Sequence, residues 1–138
     1  MSLQYSVAVV NAQLDALEVA IGVSPLLRLY SGAPPANCAA AASGTLLMEM
    51  ALPSDWMAVA AARSKAKAGT WSGTGAVGAG TGTTVGHYRV LDSTGATCHI
   101  QGTVTGTGAG GDMTLDNTSL AQNQAAVINT FTISGLNA

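Results

Sequence analysis

From Ser6 to Ile21 the apolar residues Val7, Val10, Leu14, Leu17 and Ile21 recur at steps of three and four, the spacing that puts side chains on one face of an α-helix. Gly22 follows, and glycine accepts the left-handed backbone that closes a helix. Asn11, Gln13, Asp15 and Glu18 take the other faces. The pattern predicts a helical arm over residues 1–23, ahead of a β domain over 24–138. Its apolar stripe has two seats open to it, the core of its own domain or another subunit. A lone helix before a β domain has no helical neighbour in its own chain, so Val7, Val10, Leu14, Leu17 and Ile21 are candidate subunit-interface residues.

Beyond Gly22 the period changes. Leu26 to Tyr30, opened by Pro25 and broken by Ser31-Gly32-Ala33-Pro34-Pro35, suits a strand. Residues 36–44 carry no periodic face and predict a surface loop. Thr45 to Leu52 sits between turn signals and is expected as a strand, and Trp56 after Pro53 offers a large apolar anchor for one end of the core. Ala58 to Ala68 is compatible with a helical turn or two and holds Arg63, Lys65 and Lys67, for which a solvated face is expected ahead of an acidic partner. Thr70-Trp71-Ser72 predicts a strand centre, and the glycines from Gly73 to Gly82 predict a flexible loop. Thr83 to Leu91 and Thr97 to Thr105, joined by Asp92-Ser93-Thr94-Gly95, predict a hairpin. Met113 to Leu115 follows a further glycine-rich turn. In the last run Val127, Asn129, Phe131 and Ile133 alternate with Ile128, Thr130, Thr132 and Ser134. Short strands between turns predict an all-β sandwich with an N-terminal helix.

Composition narrows the functions. The chain has 138 residues, of which 9% are charged, 48% hydrophobic and 4% aromatic. That length suits one domain, and its apolar residues are aliphatic. A formal net charge of −2 supplies no field to attract nucleic acid or an anionic membrane surface, so direct partners of either kind are not expected. Low charge weakens colloidal repulsion and favours ordered association. No apolar run reaches the length needed to span a bilayer, and Met1 to Val10 lacks the pattern of a signal peptide, which predicts a chain made in the cytosol.

Candidate chemistry is sparse. Cys38 and Cys98 show no CxxC spacing and are expected as buried or incidental thiols, with a disulfide formed after cell lysis as the alternative. Cys98, His99 and His87 fall short of the three or four convergent ligands of a useful zinc site. His87 and His99 could face each other across the hairpin, yet Asp92 and Ser93 lie in a turn with no nucleophile elbow. Asp112 and Asp116 flank a short strand and are expected to close turns. No catalytic residue, metal ligand or cofactor is assigned.

Several segments together carry a likeness: Met1-Ser2-Leu3-Gln4-Tyr5-Ser6-Val7 with Asn11-Ala12-Gln13-Leu14-Asp15-Ala16, Leu29-Tyr30-Ser31-Gly32, Ser54-Asp55-Trp56-Met57, Gly69-Thr70-Trp71-Ser72-Gly73, and Ile128-Asn129-Thr130-Phe131-Thr132-Ile133. Across essentially its full length the chain resembles small virion proteins of tailed bacteriophages, most of all capsid cement, or decoration, proteins of the Bordetella phage type. The resemblance implies a jelly-roll-like β-sandwich that forms a homodimer on the capsid exterior and binds the major capsid protein. A tail or receptor-binding accessory of the virion is the alternative, and an enzyme ranks third.

Overall fold

A computed structural model describes residues 3–135. The arm is the helix α1, Val7–Ile21. Ser6 caps it by accepting the Val9 N–H on its hydroxyl, and Gly22 closes it at φ 92° with its own N–H on the Glu18 carbonyl. Nine strands follow: β1 Leu26–Ser31, β2 Leu46–Ala51, β3 Ser64–Ala66, β4 Ser72–Gly75, β5 Thr83–Leu91, β6 Cys98–Gly106, β7 Met113–Leu115, β8 Ser119–Leu120 and β9 Ala125–Ser134. A short 3-10 turn, Val77–Ala79, lies between β4 and β5.

Seven strands pair in the circuit β1-β2-β4-β9-β7-β6-β5, and β5 pairs back onto β1. Closing the circuit removes the two free edges that an open sheet would present. β3 adds to β9, and β8 to β5. All pairs are antiparallel except β6 with β7, where the short return through 107–112 brings Met113 beside Val104. The fold is therefore all-β with an N-terminal helix. Its interior holds a continuous run of rings. Trp56 lies against Trp71 at 6.1 Å between centroids, Trp71 against Phe131 at 5.5 Å, and Phe131 edge-on to Tyr88 at 5.4 Å, packed among Leu27, Leu29, Leu47, Met48, Val90 and Met113.

Three local expectations change. Residues 58–68 form an extended turn-back, not a helix. Ala61 and Ser64 exchange both backbone hydrogen bonds, across Ala62 and Arg63 at φ 49° and 64°. The glycine-rich stretch from Gly73 is not a flexible loop either, because it opens with the end of β4 and continues into the 3-10 turn Val77–Ala79. A Cβ on Gly75 would stand 1.8 Å from the Ala121 carbonyl oxygen, and one on Gly78 2.6 Å from that of Leu46; these glycines admit neighbouring backbone. In β9 the alternation breaks at Asn129. Leu115 pairs with Ile128 but Thr114 with Thr130, so one extra residue bulges out and the inward face switches. Ile128 and Phe131 are both buried as a result, while Val127 is left 48% exposed.

Candidate interaction surface

The helix is fastened to the barrel by polar contacts that its sequence does not announce. Asp15 Oδ1 accepts the Ala60 N–H at 2.9 Å and a Lys65 Nζ proton at 2.7 Å. Glu18 Oε2 stands 2.9 Å from the same Nζ, which also donates to the Ala58 carbonyl at 2.8 Å. Lys65 is only 2% exposed, so the expected solvated face does not hold for it, and its acidic partners come from its own chain. Burial pulls its pKa down, but the bonds to Asp15 and Glu18 outweigh that and raise it. The same Lys65 bond, with help from Ala60, holds the Asp15 carboxyl below its ordinary range. A legible signal was available: Asp15 and Glu18 are three apart and share a helical face. Asn11 Oδ1 accepts the Arg63 N–H at 3.0 Å, Arg63 Nη2 donates to the Tyr5 carbonyl at 2.7 Å, and Trp56 Nε1 donates to the Gly22 carbonyl at 3.1 Å.

These ties divide the apolar stripe. Val10 and Leu14 pack with Ala60, Tyr5 and Ile133, and Ile21 enters the main core. All three are covered by their own chain. Val7 and Leu17 stay at the surface, 46% and 37% exposed. Of the nine large apolar side chains exposed among the described residues, six belong to the arm and its flanks: Leu3, Val7, Val9, Leu17, Val19 and Val23. Leu17, Ile133 and Ser134 border two adjoining depressions of about 490 and 400 Å³. Tyr5 and Gln13 line the first, and Ile100, Gln101 and Asp112 the second. Together they form a groove between α1 and the β6–β9 face.

The candidate catalytic groups are dispersed. His87 is fully buried, stacked on Tyr30 at 5.2 Å with Nδ1 2.8 Å from the Gly32 carbonyl. It pairs across the hairpin with Thr103, not His99, and His99 is exposed. Asp92 Oδ1 accepts from the Thr94 hydroxyl and from the N–H groups of Thr94 and Ala96. The Thr94 hydroxyl leads the causes that lower its pKa. Asp112 Oδ2 accepts the Thr103 N–H, and Asp116 Oδ1 accepts from Thr107 and Asn129. Among the described residues no three His, Cys, Asp or Glu side chains group so as to hold a metal, and no helix is long and apolar enough to cross a membrane. Cys38 and Cys98 are free, half-buried thiols that the fold brings together beside Arg89.

No protein-family model matches the chain, and no curated protein or solved structure is found similar to it.

Proposed function

We propose that this chain is a structural virion protein that binds the exterior of a bacteriophage capsid and cements neighbouring copies of the major capsid protein, acting by contact area and not by catalysis. The observation that carries the reading is the apolar surface left on α1, where Val7 and Leu17 border the buried stripe and Val9 and Val19 point away from it, all four exposed on a helix held in place by polar ties. A fixed helix offers an apolar surface without the entropy cost of ordering a free arm, and symmetry repeats each modest contact over a shell. The segment-by-segment resemblance to phage cement proteins supports the same reading. On it, the barrel is a form of the jelly-roll-like sandwich, the working unit is a homodimer, and the chain reaches the capsid after synthesis in the host cytoplasm.

The test adds the purified protein to undecorated phage capsids and measures bound copies and the temperature of DNA release. Saturation at a fixed ratio to capsid subunits, with a higher release temperature, is expected. Binding confined to tail structures would replace this reading with a tail accessory. Leu17→Asp places a carboxylate at the exposed edge of the stripe and is expected to weaken capsid binding while the fold persists. Leu14→Asp is unsuited to the purpose, since Leu14 is 5% exposed and a charge there attacks the fold itself.

A further inference from the structure

The loop over residues 32–44 lies on the outer face of the β5–β6 hairpin and is laced to it by three buried or half-buried side chains. His87 Nδ1 meets the Gly32 carbonyl at 2.8 Å, Gln101 Nε2 donates to the Pro35 carbonyl at 2.7 Å, and Arg89 Nη2 donates to the carbonyls of Cys38 at 2.7 Å and Ala40 at 3.0 Å. Arg89, 4% exposed, also donates through Nε to Cys98 Sγ at 3.3 Å. One guanidinium thus fixes the backbone of one cysteine and the sulfur of the other. The Cys98 thiol in turn donates to the Ile100 carbonyl at 3.4 Å. Both cysteines line one cleft of about 280 Å³ with Tyr30 and Ala39 to Ala42. Both residues are partly exposed and open on that cleft, which admits a small reactant.

We propose that Cys38 and Cys98 are a reversible redox pair, closing to an intramolecular disulfide that locks the 32–44 loop onto the β5–β6 hairpin when the protein meets a low-molecular-weight disulfide such as oxidised glutathione. Cys98 gives up its proton to solvent and attacks one sulfur of that disulfide, expelling one glutathione thiolate and leaving a mixed disulfide at Cys98. Cys38 then loses its proton to solvent and attacks Cys98 Sγ, expelling the second glutathione thiolate. Two protein thiols are oxidised to one disulfide, and one glutathione disulfide is reduced to two thiols. The order of attack follows from the surroundings. Burial, with the neighbouring Cys98, pushes the Cys38 thiol up to about 11, which keeps it protonated and makes it the resolving sulfur. In a reducing cytosol the pair stays open, and an oxidising medium closes it. Arg89 already holds the loop against the hairpin with both cysteines at one cleft, and the bond removes freedom chiefly from the unfolded chain. This inference stands apart from the capsid reading.

The experiment incubates the full, reduced, folded protein with oxidised glutathione, quenches by alkylation, and follows intact mass, the non-reducing peptide map and the thermal midpoint. The expected product is monomeric on a denaturing non-reducing gel, about 2 Da lighter than the reduced chain, linked Cys38 to Cys98, and returned to the starting mass by dithiothreitol. Its thermal midpoint rises on closure and falls again on reduction. Cys38→Ser is expected to trap glutathione on Cys98, and Cys98→Ser to react more slowly at Cys38. Persistent glutathione on both cysteines of the folded parent, links only between chains, or no reaction would each overturn the proposal, as would a thermal midpoint lowered by closure. The parent protein decides the matter even where a serine variant folds poorly.

Discussion

Lys65 Nζ lies 2.7 Å from Asp15 Oδ1, joining the turn-back after β2 to the middle of the N-terminal helix. The lysine is 2% exposed and its aspartate 42%, so the pair is asymmetric: the cation depends on the anion far more than the reverse. Replacing Asp15 with Asn and Glu18 with Gln leaves a buried ammonium without its anions, which is costly. Lys65→Met frees two carboxylates that reach water and leaves an apolar stem in place. Chemical denaturation should therefore rank the double carboxamide variant well below Lys65→Met.

The same contacts set the pH limits of stability. Asp15 and Asp92 are held below the ordinary aspartate value of 3.8. Their contribution is complete above that value and is lost as pH falls through the lower folded ones. Lys65 is raised above 10.5 and Cys38 from 9.0 to about 11. Their contributions are complete below the unfolded values and are lost as pH rises through the folded ones. Thermal midpoints measured across pH should be level with respect to these groups from about pH 5 to 8 and fall on both sides.

Two glycines at strand ends, Gly75 in β4 and Gly106 in β6, meet opposite surroundings. Gly75→Ala drives a Cβ into the Ala121 carbonyl, a backbone atom that cannot swing aside. Gly106→Ala meets nothing within 4 Å, and no positive φ is recorded there. Thermal unfolding should show a loss above about 2 kcal/mol for the first and a change within about 0.5 kcal/mol for the second.

Ala62, exposed and at φ 49°, occupies a region that costs an L-residue with a Cβ on the order of 1 kcal/mol. Ala62→Gly is expected to leave stability unchanged or raise it by up to about 1 kcal/mol, since relief of strain opposes the added freedom of the unfolded chain. A marked loss in a denaturant titration would show that the Ala62 side chain has a packing role.

Deleting residues 1–23 removes Asp15, Glu18 and the Gly22 end of the helix that accepts Trp56 Nε1. Circular dichroism of the shortened chain should show a lower thermal midpoint for the β signal along with loss of the helical signal. An unchanged midpoint would show that the arm is an independent appendage.

Local rules were enough to place much of this architecture. Helical spacing with Ser6 and Gly22 at its ends defined α1, because periodicity and caps act within a few residues. The turn at Asp92 to Gly95 likewise placed the β5–β6 hairpin. Tertiary structure decided which half of the stripe is covered, because Val10, Leu14 and Ile21 differ from Val7 and Leu17 only in what the rest of the chain brings against them. It decided the fate of Lys65, whose neighbours Arg63 and Lys67 look equivalent in sequence, since only β3 pairing with β9 turns it beneath α1. The closed circuit and the meeting of Cys38 with Cys98 depend on β1 pairing with β5 and on Arg89 holding a distant loop. Those contacts join residues far apart along the chain, and neither spacing nor composition encodes which distant segment will arrive.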